Sequence, residues 1–100
     1  SDVLATVLLG YPFVAPNKTI EERTFHLRKI VTPTLICQGT RNRMGDQQVI
    51  KRIVLPKCIE FHWAIDGDHS LVPLKKSPAT KEGNWSSAIS RISEFVSDLR

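Results

Sequence analysis

The 100-residue sequence predicts an α/β domain, or part of one, with mainly parallel strands. Three observations lead to this fold class. Two short runs, residues 3–9 and 34–37, are apolar on both parities, which suits strands covered on both faces. A third run, residues 59–65, alternates apolar and polar residues. Helical patterns separate these runs, and such alternation indicates parallel strands joined by right-handed crossovers.

The first strand, residues 3–9, ends at Gly10, and no earlier segment of this sequence can pair with its other side. A strand that is apolar on both faces needs neighbours, and an unpaired edge of this kind invites another strand. The sequence therefore predicts the C-terminal part of a larger sheet. Its missing neighbour would come either from residues outside these 100 or from a second copy in a homodimer.

Three helical segments are predicted between and after the strands. In residues 17–31, Thr19 and Glu22 have the spacing of a capping box, and Pro33 disfavours helical backbone just before it. Asp46 is predicted to cap a second helix, with one face formed by Val49, Ile50, Ile53 and Val54. The third begins at Asn84, with one stripe formed by Trp85, Ala88, Ile89, Ile92, Val96 and Leu99.

The alternating pattern of residues 59–65 predicts a strand at the edge of the sheet, with one buried face. Its apolar face is formed by Ile59, Phe61, Trp63 and Ile65. The run breaks at Gly67, and His69 follows in a loop just beyond the strand end. Open α/β sheets bind their ligands there, outside the carboxyl ends of the strands. For an isolated loop histidine, a solvated residue without a role is the commoner case.

Composition excludes several classes of protein. The apolar share of 41% supports a core, and the charged share of 24% is ordinary for a globular chain. No run has the length of a membrane span, and no signal peptide pattern is present, so we expect a cytoplasmic protein with no membrane partner. Cys37 and Cys58 predict two reduced thiols without zinc. The net charge of +4 permits an acidic partner, while the lack of interleaved aromatic and basic residues argues against nucleic acid.

Several short motifs follow the predicted strands in order. They are Gly10-Tyr11-Pro12-Phe13, Gln38-Gly39-Thr40-Arg41-Asn42, Gly67-Asp68-His69-Ser70, a basic segment, and Asn84-Trp85 at the start of the closing helix. Together they resemble the last strands and helices of an α/β-hydrolase, a three-layer α/β/α fold. More narrowly, they resemble the dienelactone-hydrolase-like group that includes the Tex30 and KANSL3-type proteins.

The resemblance implies a catalytic role for His69 as general base and places the triad acid at Asn42. In this fold the nucleophile lies on a Gly-x-Ser-x-Gly elbow, and the sequence contains no such motif. We therefore expect the nucleophile outside these 100 residues and no activity from the chain alone. The serines present, Ser70 and those of the last helix, are better explained as solvated side chains.

The amide at Asn42 departs from the carboxylate that the family usually carries there. An amide does not stabilise an imidazolium, and the corresponding change in a serine protease lowers turnover by roughly 10⁴-fold. Two alternatives stay open: an Asn that orients the histidine of a cysteine nucleophile, or Asp46 in place of the acid. Asp68 is too close to His69 in sequence, and Asp66 is better explained by turn chemistry with Gly67.

Other residues are candidates for substrate or partner binding. Lys75 and Lys76, with Lys81, Arg41 and Arg43, would form a basic rim beside the cleft, or else a solvated loop. Tyr11 and Phe13 would line the pocket or pack in the core.

Two hypotheses follow from the sequence. The first is a metal-free and cofactor-free hydrolase of a small-molecule ester or similar acyl bond. The second is a catalytically degenerate hydrolase-fold module that binds an acidic partner.

Overall fold

The computed structural model describes residues 4–11, 13, 24–42, 45 and 47–99. Three parallel strands form one sheet in the order β1 (Thr6–Leu9), β2 (Thr34–Gly39) and β3 (Ile59–Ala64). Thr34 lies opposite Thr6 on one side and opposite Ile59 on the other. The parallel sheet that the alternation predicted is therefore confirmed.

The helices differ from the prediction in their bounds. A 3-10 helix spans Leu27–Lys29, α1 spans Gln47–Lys51 and α2 spans Lys81–Asp98. Helix α2 begins three residues earlier than predicted, because Thr80 Oγ1 caps it by accepting a hydrogen bond from the Gly83 N–H at 2.9 Å. The predicted caps at Thr19, Glu22 and Asp46 lie outside the described residues.

Helix α1 is shorter than its apolar pattern indicated. The predicted face runs through Val54, but the helix ends at Lys51 and the Val54 side chain is exposed. Ile50 and Ile53 do pack against the core, so the first part of that face is correct. The apolar pattern continues past the end of the helix. Pro56 disfavours helical backbone just before it, and the chain there is already turning toward β3.

The sheet is covered on both faces, as an α/β fold requires. Helix α2 packs on one face, over a core formed by Leu35, Cys37, Ala64, Leu71, Ala88 and Phe95. The 3-10 helix and α1 lie on the other face, where the core is formed by Phe13, Leu27, Ile36 and Ile59. Since β2 is the central strand, its six residues are all buried.

The stripe predicted for α2 is displaced by about one residue from the face that is buried. The side chains that point into the core are Asn84, Ala88 and Phe95, with Ile92 partly buried beside them. Trp85, Ile89 and Val96, which the prediction counted as buried, are exposed. The apolar arc of α2 is therefore wider than the surface that the described sheet covers.

The two edges of the sheet differ in chemistry. At β3, predicted as an edge, Glu60 forms an ion pair with Arg91 of α2 at 2.9 Å. Ile65, predicted on the buried face, lies beyond the strand end and is exposed. At β1, within the described sheet, β2 is the only strand neighbour, and Leu4 and Leu9 are exposed.

Candidate functional site

The candidate site lies at the carboxyl edge of the sheet, where all three strands end and two loops meet. The loop after β3 approaches the ends of β1 and β2 closely because a glycine lies at each of those ends. A Cβ at Gly39 would collide with the carbonyl oxygens of Gly67 and Asp68, and a Cβ at Gly10 would collide with the carbonyl of His69. Gly10 also has a φ of 63°, a conformation that favours glycine. These two positions allow the histidine loop to lie directly on the sheet.

Backbone hydrogen bonds join the loop after β2 to the loop after β3. The Arg41 N–H donates to the Gly67 carbonyl at 2.9 Å, and the Asp66 N–H donates to Thr40 Oγ1 at 2.8 Å. Positions 42 and 69 therefore lie on loops at the same edge of the sheet, as the sequence motifs predicted. Their catalytic roles stay predictions.

Asp68 organises the turn that presents His69. One carboxylate oxygen, Oδ1, accepts hydrogen bonds from the N–H groups of Ser70 at 2.8 Å and Val72 at 3.0 Å. Partial burial raises the pKa of Asp68, but these hydrogen bonds and the charge of His69 outweigh burial, so its pKa lies below the ordinary value. The carboxylate is thus engaged by the loop backbone, and the imidazole of His69 stays exposed to solvent.

The first turn of α2 holds the same loop from the side. Asn84 Nδ2 donates to the carbonyls of Ile65 at 3.1 Å and Leu71 at 2.9 Å. Trp85 Nε1 donates to the Ser70 carbonyl at 3.0 Å. From the sequence, both residues were predicted only to belong to a motif and to the start of the last helix. The signal available was their place at the start of the last helix, immediately after the basic loop.

Asn42 is buried, in contrast to His69. It is 1% exposed, its N–H donates to the Gly39 carbonyl, and its own carbonyl accepts from the Gly45 N–H, both at 3.1 Å. Beneath this turn Gln38, also buried, donates from Nε2 to the carbonyls of Tyr11 and Gly45 at 2.9 Å. The position implied for the acid is therefore buried at the end of β2, close in sequence to the buried Gln38.

Tyr11 and Phe13 pack against one another with their ring centroids 4.8 Å apart. Phe13 is fully buried among the core residues, so the core alternative describes its position. Tyr11 is partly exposed beside the Gln38 amide. Contact of these two rings with a substrate stays a prediction, and Tyr11 is the one that solvent reaches.

The basic loop after His69 is exposed but attached. Lys75 and Lys76 are exposed, and Ser77 Oγ between them and α2 donates to Asp66 Oδ2 at 2.6 Å. Lys81 Nζ lies 4.5 Å from the centroid of the Trp85 ring. Lys81 is therefore linked to the His69 loop through Trp85, whose indole N–H donates to the Ser70 carbonyl. Arg41 is exposed at the neighbouring loop, and Arg43 lies outside the described residues.

An apolar groove that sequence analysis missed runs between the end of β1 and α2. Its volume is about 540 Å³. It is lined by Leu9, Gly10, His69, Ser70, Leu71, Trp85, Ala88, Ile89 and Ile92. The exposed part of the α2 stripe forms one wall, so the groove is the space that the wide apolar arc leaves uncovered.

The two thiols lack the features of an activated nucleophile. Burial raises the pKa of the Cys37 thiol, and the charge of Arg91 offsets only part of that rise. Cys58 donates from Sγ to the Ile30 carbonyl at 3.4 Å. Among the described residues, no three His, Cys, Asp or Glu side chains are grouped closely enough to hold a metal ion.

Comparison with known proteins decides the family. A family model described as an alpha/beta hydrolase domain matches residues 1–97. The chain belongs to this family. The match agrees with the parallel three-stranded sheet, so the protein has a hydrolase fold. The searches of curated proteins and of solved structures gave no match.

A membrane span is not found in the part of the chain that the structure describes. None of its helices, including the 18-residue α2, combines the length and the apolar composition that crossing a bilayer requires.

Proposed function

We propose that these residues form the histidine-bearing part of an acyl hydrolase. The observation that carries the proposal is the position of His69, exposed on a loop that the ends of β1 and β2 hold at the carboxyl edge of a parallel sheet. The resemblance to the dienelactone-hydrolase-like group favours a small-molecule ester or a related acyl bond as the substrate. The family match supports the fold that this chemistry uses.

In this proposal His69 acts as the general base. It takes a proton from a nucleophile on a segment outside the 100 residues and returns it to the leaving group, a role that suits an imidazole near neutral pH. Attack by the nucleophile forms a covalent acyl intermediate, which water then hydrolyses. Asn42 occupies the acid position, and because an amide stabilises the imidazolium poorly, we expect slow turnover.

The test is an acyl-ester assay on the full-length protein and two variants. We expect His69→Ala to lower kcat by about 10³-fold or more, since general base catalysis is lost. Asn42→Asp should raise kcat, because a carboxylate would stabilise the charged imidazole. His26→Ala, which removes an exposed histidine far along the chain from the loop, is the matched control and should leave kcat unchanged. The proposal is wrong if His69→Ala keeps the parent rate while the parent is active.

The second candidate function is binding of an acidic partner, and the exposed lysines beside the His69 loop favour it. Lys75 and Lys76 extend from the loop, Lys81 follows at the start of α2, and Ser77 holds the segment in place. A fixed group of cations attracts anions more strongly than the same charges on a mobile chain, because less conformational freedom is lost on binding.

This candidate is tested by measuring affinity for a synthetic polyanion, such as polyglutamate, at several salt concentrations. We expect the triple variant of Lys75, Lys76 and Lys81 to alanine to weaken binding and to reduce its salt dependence. The matched control removes three other exposed cations, Lys51, Arg52 and Lys57, which lie toward the amino end of β3. Equal losses in both triple variants would show only nonspecific attraction to a basic protein.

We also propose a second copy of the chain as the neighbour of β1. The exposed Leu9 at the end of β1 and the apolar groove beside it support this, since such a surface favours burial. Sedimentation equilibrium tests it: Leu9→Lys should shift a dimer to monomer, and Val54→Lys, the same change at another exposed aliphatic residue near α1, should not. A parent protein that is monomeric at all concentrations would exclude the homodimer.

A further inference from the structure

Asn84 stands at a point from which one side chain reaches both ends of the histidine loop. It lies in the first turn of α2 and is 8% exposed. Its Nδ2 donates to the carbonyl of Ile65, just before the loop, and to the carbonyl of Leu71, just after His69 and Ser70. The two hydrogens of one amide group therefore join the two ends of the histidine loop.

The chemistry at this position requires an amide. Both partners are carbonyl oxygens, so the Asn84 group that faces them must be the NH2 group, which fixes the orientation of the side chain. A carboxylate there would face two acceptors without a proton to share, and an alanine would leave two partly buried carbonyls without these donors. Asn84 is itself anchored, because its N–H donates to the Thr80 carbonyl at 2.9 Å in the helix cap.

The loop that Asn84 closes is in a conformation that needs external support. Leu71 has a φ of 66° and Asp66 has a φ of 56°, values that are uncommon for residues other than glycine. Such conformations persist where the surroundings determine them. Here the support comes from Asn84 at both ends, and from Trp85, which donates to the intervening Ser70 carbonyl.

We propose that Asn84 is a positioning residue for His69. It does not act on a substrate itself; it holds the backbone on either side of His69, so that the imidazole stays over the carboxyl edge of the sheet. Trp85 contributes in the same way from a more exposed position, with a single hydrogen bond. The catalytic part of this inference rests on the proposed function, whereas the effect on the loop does not.

The first measurement follows the His69 imidazole by NMR in the full-length protein labelled with 15N-histidine. We expect Asn84→Ala to shift and broaden the His69 ring signals, while the ring signals of His26 stay in place. Trp85→Phe keeps an aromatic side chain but replaces the indole with a smaller ring that has no N–H, so it should shift the same His69 signals by a smaller amount. Ser93→Ala, at an exposed position later in α2, is the matched control.

The second measurement is the acyl-ester assay on the same variants. Displacement of a catalytic group by about 1 Å costs on the order of 10²-fold, so we expect Asn84→Ala to lower kcat by about that factor. KM should change far less, because Asn84 does not contact the substrate. Trp85→Phe should lower kcat by a smaller factor, and Ser93→Ala should leave both constants unchanged.

The two measurements separate failure of this inference from failure of the proposed function. His69 signals that move in Asn84→Ala, together with a parent protein that has no activity, support the loop inference and count against the hydrolase. An active parent with unmoved His69 signals and full kcat in Asn84→Ala overturns the inference and leaves the hydrolase standing. Should Asn84→Ala fail to fold, Trp85→Phe decides: unchanged His69 signals in that variant also overturn it.

Discussion

The two loops at the carboxyl edge present their polar side chains in opposite ways. Asn42, after β2, is a buried residue, and the loop around it forms tight turns through backbone hydrogen bonds with Gly39 and Gly45. His69, after β3, is an exposed residue. The backbone of its loop is held by hydrogen bonds to the side chains of Asp68 and Asn84, and it lies directly against Gly10. One loop fixes a side chain inside the molecule, and the other fixes a backbone and leaves the side chain accessible.

The difference separates residues that stabilise the edge from residues that are available for chemistry. A buried amide is costly to replace, because its polar atoms have already been removed from water. Replacing an exposed imidazole changes stability little, whereas disrupting the loop backbone that carries it lowers stability. Mutations at this edge should therefore fall into two groups, with large effects on stability at loop backbone and buried amide positions and small effects at His69.

The largest effect is expected for Gly39→Ala, at the contact between the two loops. The new methyl group would meet the carbonyl oxygens of Gly67 and Asp68, which are backbone atoms and cannot move aside as a flexible side chain could. We expect a loss of about 3 kcal/mol in the free energy of unfolding, or failure to fold. Urea denaturation measures it. Ser86→Ala, at an exposed position of α2, should change stability by less than about 0.5 kcal/mol. A loss that small for Gly39→Ala would show that the loops do not touch there.

The second effect is expected for Asn42→Asp and concerns stability rather than turnover. A carboxylate at a position that is 1% exposed loses its hydration, so we expect a loss of about 1–3 kcal/mol at pH 7. Burial would raise the pKa of the new carboxyl in the folded state. The loss should therefore appear as pH rises through that pKa and disappear at acidic pH, where the group is protonated.

Gln47→Glu is the matched control for this charge change, because it introduces the same charge at an exposed position in the first turn of α1. Thermal unfolding at pH 4 and pH 7 compares the two variants. If Asn42→Asp is as stable as its control at both pH values, the acid position is hydrated and the contrast between the two loops is wrong there.

The sequence was sufficient to predict most of the fold. Continuous apolar runs predicted β1 and β2, and alternation predicted β3 at an edge. The expectation that β3 buries only one face was wrong, because Ala64, on the polar face of the pattern, is buried in the core with Ala88 and Phe95 of α2. The bounds of α1 and α2 could not be predicted as well. Capping by Thr80 and the exposure of Val54 depend on where neighbouring segments lie, and a helical period does not contain that information.

The candidate site was predicted in part. The motifs placed positions 42 and 69 at one edge because parallel strands bring their carboxyl ends together. They did not reveal that Asn42 is buried, or that Asn84 closes the histidine loop through hydrogen bonds that span 19 and 13 residues of sequence. Burial of a polar side chain and long-range hydrogen bonds to backbone carbonyls depend on three-dimensional packing, which has no periodic signature along the chain.

A smaller effect on stability is expected from His62, the histidine within β3, as the pH changes. His62 is partly buried against α2, with Ser87 Oγ 3.2 Å from its Nε2; Arg91 of α2, Glu60 of β3 and Cys37 of β2 lie on the same side of the sheet. Burial lowers the pKa of His62, and the charge of Arg91 lowers it further.

Because the folded state resists protonation at His62, the contribution of this residue to stability is present above the unfolded pKa of about 6.5 and is lost as pH falls through the lower folded pKa. We expect the melting temperature to fall between pH 7 and pH 5, and the fall to be smaller in His62→Gln than in the parent. If the melting temperature falls equally with pH in the two proteins, protonation of His62 does not contribute to the loss of stability.

The smallest effect is expected for His69→Ala, and it tests the contrast between the loops most directly. The loop is held through the carbonyls of Ser70 and Leu71, through Asp68 and through Gly10, none of which requires the imidazole. We expect the free energy of unfolding to change by less than about 0.5 kcal/mol, whereas Asn42→Ala should cost about 1–3 kcal/mol. Urea denaturation of both variants measures the difference. Comparable losses would mean that the His69 ring packs on the sheet, and a loss of activity in His69→Ala would then no longer separate catalysis from folding.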